Sequence, residues 1–343
     1  MRNKHLIIGI LLIIVSLYFA GRDVDINEMG RALASAHYIY LIPAFILVGL
    51  SFVFRTMRWR YLVRSVKPGV RTRDLFSPLM VGFMANVLPA RAGEFIRAYL
   101  LGKKEKISFS ASFATIFIER LFDMSLVLLL LFFVIFFSSD LFPQSDTEKY
   151  RELMGYMKKF GLISFCLCIF ILLFSLFLHF RNDTAMKVVN FFTRPLSDKW
   201  GYKINRMVIS FSEGLNIIKD PRGLIATVIL SFLIWGTFIS IYYPLYLAFE
   251  IESIPIIPSL IILCLTVAIF ITLFPTPGFL GAFQLGCVLA LNGIFGVAPD
   301  KAFSYGIVAW IVTMGSTIVV GAIFMFKDHI SIGEIASHRK EAE

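Results

Sequence analysis

Across 343 residues the chain is 58% hydrophobic and 15% aromatic, with a mean hydropathy of +0.79. That leaves too little polar surface to cover a water-soluble globule, so the bilayer is the expected solvent. The formal charge of +10 needs no nucleic-acid partner to explain it, because its basic residues fall in the loops between apolar runs, where they suit anionic lipid head groups.

In chain order, runs long enough to cross a hydrocarbon core lie near 5–20, 37–54, 109–137, 158–180, 222–247 and 302–326. They are continuously apolar rather than alternating, which points to helices and excludes a β-barrel. The first run follows Met1-Arg-Asn-Lys-His5. Tyr18-Phe19 occupies the place where a cleaved signal would need small residues, so this helix is expected to be retained. Laid end to end, the spans gather 23 of the 33 Lys and Arg on one side, including Arg55, Arg58, Arg60, Arg64, Lys67, Arg71 and Arg73. Basic loops stay cytoplasmic, so both termini are expected inside a multi-pass protein of the cell (inner) membrane. Arg58-Trp59-Arg60-Tyr61 then reads as an interfacial belt of aromatic and basic residues.

Two segments break the pattern. Residues 75–102 contain Asn86, Pro89 and Gly93, and arms of about 14 and 10 residues are too short to cross at ~1.5 Å per residue. A hairpin entering from the cytoplasm and returning is expected. The second break, Leu273-Phe-Pro275-Thr-Pro277-Gly278-Phe-Leu-Gly281-Ala-Phe-Gln284, lies within 257–295 and opens from the outside; its longer arms also allow two full spans. The predicted architecture is therefore all-α: six transmembrane helices plus two re-entrant hairpins in an inverted-topology repeat. Residues 1–138 form the first repeat, 158–327 the second, and 328–343 a short cytoplasmic tail. Such repeats place substrate sites near the midplane at discontinuous helices.

Six ionised residues fall inside the predicted membrane segments: Arg91, Glu94 and Arg97 in the first hairpin, and Glu119, Arg120 and Asp123 in the helix that follows. Charges there are costly, face interior cavities and pair. The spacings 119/123, 120/123 and 94/97 put partners on shared helix faces. Arg91 or Arg97 is expected to meet Glu119 or Asp123 in a chamber of zero net charge. With Asn86, these residues are the candidate substrate-binding set; Pro89, Gly93, Pro275, Pro277, Gly278, Gly281 and Gln284 are the candidate gates. Fixed ion-pair glue between hairpin and helix is the alternative role.

The runs Asn86-Val-Leu-Pro-Ala-Arg-Ala-Gly-Glu-Phe-Ile-Arg97, Ile116-Phe-Ile-Glu119-Arg120-Leu-Phe-Asp123 and Pro277-Gly278-Phe-Leu-Gly-Ala-Phe283 resemble the lysylphosphatidylglycerol synthase transmembrane-region family, the flippase-like domain family. The likeness covers nearly the whole chain. It implies movement of an anionic or modified phospholipid, or a polyprenyl-phosphate-linked lipid, between leaflets. The tail at 328–343 is too short for the synthase domain found beside this module elsewhere, so no enzyme activity and no cofactor are expected, and lipid-modifying enzymes are possible partners.

Other chemistry is weaker. Lys187-Val-Val-Asn-Phe-Phe-Thr-Arg194-Pro195 matches one lipid-phosphatase motif, but none of His5, His37, His179, His329 and His338 stands where a nucleophile is needed. His179 reads as an interfacial anchor. Asp23 and Asp25 make an incomplete metal site for a polyprenyl-phosphate transferase, the rival function. A non-transporting structural partner of lipid enzymes is a third possibility. Cys166, Cys168, Cys264 and Cys287 fit neither a zinc nor a redox spacing, so no metal is expected. Residues 182–220 form at best a broken amphipathic helix.

Overall fold

The computed structural model describes residues 2–87, 93–137, 220–252, 254–274 and 276–330, with a few isolated positions between 159 and 173. The fourth expected span at 158–180 lies for the larger part outside the described residues, and the 182–219 segment, His179 and the tail beyond 330 lie outside them entirely. Every regular element among the described residues is helical. Among the described residues five stretches are long and apolar enough to cross a membrane: Tyr38–Arg64, Pro221–Ala248, Ile256–Leu273, Pro277–Ile294 and Pro299–Lys327. Their large apolar side chains stay exposed, as at Ile46, Phe232 and Val319, which is the signature of a surface facing lipid rather than water.

The first half begins with α1 (Arg2–Gly21) and the short α2 (Ile26–Ser35). α3 (Leu41–Arg64) follows directly on a single turn at Tyr38–Tyr40. It continues ten residues beyond the end of the apolar run, because nothing in 55–64 interrupts a helix and the first breaker is Pro68-Gly69, where Gly69 has φ +90°. Residues 55–64, expected in a cytoplasmic loop, are therefore helical. α4 (Thr72–Ala85) and α5 (Gly93–Glu105) form an antiparallel hairpin. Its feet meet at Asp74 and Lys104, 3.9 Å apart. Near its tip, Gly82 and Gly93 pack so closely that a Cβ on Gly93 would lie 2.0 Å from the Gly82 carbonyl oxygen. Helices of 14 and 13 residues reach only about 20 Å, short of a hydrocarbon core. α6 (Phe109–Phe137) completes the half.

In the second half α7 (Pro221–Ala248) leads to α8 (Ile256–Leu273). The chain then breaks at Pro277–Phe279 and resumes as α9 (Ala282–Val288), prolonged by a π-turn to Ile294. Unlike α4 and α5, both arms of this second hairpin are long enough to cross. α10 (Pro299–Trp310) and α11 (Ser316–Lys327) are joined through a second π-turn at Ile311–Gly315.

The packing is organised around α3 and α7, which lie against one another along their length. They run antiparallel, since the His37 amide at the entry to α3 donates to the Ala248 carbonyl at the end of α7 at 2.9 Å. α3 flanks α4 and α7 flanks α8; α5 packs on α6 and α9 on α10; α11 lies on α4 and α6 on α8. Gly321 makes the α11–α4 contact possible, a Cβ there falling 2.4 Å from Met84 Cβ. α1 lies on the second hairpin, where Gly281 faces Ser16 and Gly9 faces Pro277. α2 docks on α10, with the Asp25 amide donating to Asp300 at 2.6 Å.

Candidate functional site

Three helices carry charge into the interior. α6 brings Glu119, Arg120 and Asp123 midway along an otherwise Phe-, Leu- and Ile-rich stretch. α5 brings Glu94 and Arg97. α3, running straight past the end of its apolar segment, brings Arg55 and Arg58. Arg58 and Trp59 are fully buried, with Arg58 at 0% exposure, so the interfacial-belt assignment is wrong for both. Arg60 does face outward, its Nε donating to the Val70 carbonyl at 3.3 Å.

The contacts form one network. Arg97 grips Glu119 with both terminal nitrogens, at 2.7 and 3.1 Å. Arg58 does the same to Asp123 at 2.7 and 3.2 Å, reaches Glu119 at 3.3 Å and donates to Ser231 Oγ on α7 at 3.0 Å. Arg120 bridges Glu94 at 3.1 Å, Glu119 at 3.3 Å and Asp123 at 3.3 Å. The Arg97 guanidinium lies over the Trp59 ring at 3.7 Å, and Trp59 Nε1 donates to Thr115 Oγ1 at 3.0 Å. Bidentate arginine–carboxylate pairs of this kind are the strong, geometrically specific ion pairs, and the low dielectric strengthens them.

The network has an interior and an edge. Arg58, Glu119 and Arg97 are sealed, whereas the side chains of Glu94 and Arg120 are 36% and 37% accessible. Four guanidinium groups face three carboxylates among the described residues, so the cluster carries one net positive charge rather than the balance expected. The difference arises because Arg55 and Arg58 belong to α3, while Arg91 lies outside the described residues. The Nε atoms of Arg55, Arg58, Arg97 and Arg120 are all buried without a hydrogen-bond acceptor. Arg120 Nε is within ion-pair distance of Glu94 but is not aligned to bond it.

Above this cluster the described end of the first hairpin stands beside the break of the second. Val87, just past α4, lies 3.8 Å from where a Gly278 Cβ would stand, and the Trp310 indole donates to the Gly278 carbonyl at 2.9 Å. Gly278 and Gly281 have φ of +62° and +84°, conformations that cost little only for glycine. Gln284 Oε1 accepts the Gly281 amide at 2.7 Å and so fixes the second tip. At the first tip Asn86 Oδ1 accepts the Gly93 amide at 3.2 Å, a structural bond for a side chain expected to touch substrate. Gly93 is needed for close approach, not for an unusual φ. Pro89 and Pro275 lie outside the described residues.

The rival metal site does not assemble. Asp25 caps α2, accepting from the amides of Asn27 at 2.7 Å and Glu28 at 3.4 Å, while Asp23 pairs with Arg22 at 3.2 Å. No group of three or more His, Cys, Asp or Glu is disposed to hold a metal among the described residues. Cys264 and Cys287 are buried and unbonded, Cys166 is exposed, and Cys168 lies outside the description.

Comparison with known proteins follows the same lines. The family model for the lysylphosphatidylglycerol synthase TM region matches residues 6–321. A UPF0104 membrane protein of Methanothermobacter thermautotrophicus is 25% identical over 95% of this chain and 96% of its own length. Another UPF0104 membrane protein, from Methanocaldococcus jannaschii, is 31% identical over 38% of each chain. The glycosyltransferase AglD of Haloferax volcanii is 27% identical over 36% of this chain but only 20% of its own. No solved structure matches.

Proposed function

The chain belongs to the lysylphosphatidylglycerol synthase TM region family, and from that premise we propose that it is a lipid transporter that carries an anionic head group between leaflets. The cargo is an anionic or modified phospholipid, or a polyprenyl-phosphate-linked lipid, whose tails remain in the bilayer. The protein resides in the cell membrane with both termini cytoplasmic, carries out no group transfer itself, and serves lipid-modifying enzymes as partners.

One observation carries this reading: a cationic cluster, most open at Arg120 and Glu94, lies beneath the place where Val87 of the first hairpin stands beside Gly278 of the second. Ionised residues at membrane depth are expensive and mark substrate pathways when they line a cavity. The packing supports an inverted repeat, because its contacts interchange when α3, α4, α5 and α6 are swapped for α7, α8, α9 and α10–α11. Two equivalent hairpins then act as alternate gates, with the head group bound more tightly in one state than in the other driving the exchange.

The intramembrane transferase remains the competing function, suggested by the name of the Haloferax relative. Its acidic pair is occupied in capping α2 and pairing with Arg22, which favours transport. Reconstitution into vesicles containing lipids labelled on their head groups tests the proposal. Accelerated leaflet exchange of an anionic lipid, lost in Arg97→Gln, is the expected result. Absence of exchange for every anionic lipid, at verified insertion, would overturn it.

A further inference from the structure

Among the described residues seven ionised side chains meet in the cluster, and six of them are paired with one another. Arg55 is the seventh. It stands one turn before Arg58 on α3, with its guanidinium carbon 4.7 Å from the ring centre of Phe83 on α4 and 4.5 Å from that of Phe238 on α7. Ring faces attract a cation without neutralising it. Among the described residues Arg55 makes no hydrogen bond or ion pair, and its Nε is buried without an acceptor. Asp123 and Glu119 act on it through space, but both are in direct contact with other arginines.

A second unpartnered donor belongs to a neighbour of the same ring: Trp235 packs edge-on against Phe238, with ring centroids 5.9 Å apart. Ser231, Trp235 and Phe238 recur at helical spacing on one stripe of α7. Ser231 touches Arg58 and Phe238 touches Arg55, so Trp235 stands between them. Its Nε1 is buried and has no acceptor. A cationic donor and a neutral one thus lie at the middle of the two central helices, both in contact with Phe238. Both rings engage the flat of the guanidinium and satisfy none of its N–H groups, which point outward from its edge. Edge-on, two-point donation is how arginine recognises phosphate oxygens.

We propose that Arg55 and Trp235 form a phosphate-binding site, in which the guanidinium edge and the indole N–H hold the oxyanion that neutralises the cluster. The inference rests on the transport reading for its natural occupant, the phosphate of a lipid head group. The geometry alone recognises the oxyanion, and free phosphate shares that chemistry.

The test uses the full-length protein in detergent, with thermal stabilisation as the measure of affinity for dioctanoyl-phosphatidylglycerol, dioctanoylglycerol and inorganic phosphate. Stabilisation by the phospholipid but not by dioctanoylglycerol is expected, with affinity falling roughly tenfold to a hundredfold in Arg55→Gln and less in Arg55→Lys, which keeps the charge but loses the fork. Trp235→Phe is expected to weaken binding by a smaller factor. Stabilisation by inorganic phosphate as well supports the site and assigns it to phosphate in general. Equal stabilisation by dioctanoylglycerol, or unchanged affinity in both Arg55 variants, overturns the site. Binding through Arg55 in a protein that exchanges no lipid would sink transport and leave the site standing; exchange that survives with unaltered binding in Arg55→Gln would do the reverse.

Discussion

Glu119 is the residue on which the cluster turns, since Arg97, Arg58 and Arg120 all reach it. Arg97→Leu leaves that buried carboxylate short of its bidentate partner and also strips a cation from the face of Trp59. Removing one member of a buried pair costs about 3–5 kcal/mol, whereas replacing both members by apolar residues can be far milder. Thermal unfolding in detergent is therefore expected to rank Arg97→Leu as more damaging than Arg97→Leu/Glu119→Leu, in which Arg58 keeps Asp123. The opposite order would mean that Glu119 is satisfied chiefly by Arg58 and Arg120. A pair that only glued α5 to α6 would lose stability in the same way, but lipid exchange in the double variant would survive. Loss of exchange with stability recovered identifies the pair as part of the transport path.

The hairpins depend on glycine for two different reasons. At Gly93 the demand is space: an added methyl group would overlap the Gly82 carbonyl and crowd Asn86, forcing α4 and α5 apart. At Gly281 the demand is both space and conformation, because φ is +84° and a Cβ would press on Ser16 of α1. Overpacking costs about 1–3 kcal/mol and a left-handed non-glycine residue about 1–2 kcal/mol. Gly93→Ala and Gly281→Ala are expected to lower the unfolding temperature, while Gly236→Ala, with nothing within 4 Å, leaves it unchanged. Val87 of the first hairpin and Gly278 of the second are neighbours, so splaying either hairpin also disturbs the other, and both glycine variants are expected to slow lipid exchange.

At the scale of the molecule, antiparallel packing of α3 on α7 places the turns that follow one and the other at opposite ends. Lys67 lies just beyond α3, bonded to Glu105 at 2.8 Å, and Glu250 just beyond α7, bonded to His37 at 3.1 Å. Both are solvent-exposed enough to accept a thiol reagent when replaced by cysteine. In sealed vesicles of one orientation, a membrane-impermeant maleimide is expected to label only one of Lys67→Cys and Glu250→Cys from outside, and the other after permeabilisation. Labelling of both from the same side would dissolve the inverted arrangement and, with it, the two-gate scheme. Within the cluster, contacts sealed from solvent are not screened by salt, so exchange driven by them is expected to change little between low and moderate ionic strength.

The membrane solvent and the helical class were legible in the amino-acid sequence alone, because unbroken apolar runs leave the backbone no other way to satisfy its polar groups in oil; the family was legible in the runs at 86–97, 116–123 and 277–283. Glu94, Arg97, Glu119, Arg120 and Asp123 were legible too: each interrupts an apolar segment, and such an interruption stands out along a chain. Arg55 and Arg58 did not stand out, since they follow an apolar run and are succeeded by more basic residues, the ordinary pattern of a cytoplasmic loop. The one available signal was continuity, with buried Val48, Phe52, Trp59 and Leu62 keeping helical spacing through the arginines. Tertiary structure alone decided that this extension turns inward, that the described cluster is left with an excess cation, and that Val87 and Gly278, nearly two hundred residues apart, become neighbours above it. Those outcomes depend on which helix faces which, a property of three-dimensional packing that periodicity along one helix does not specify.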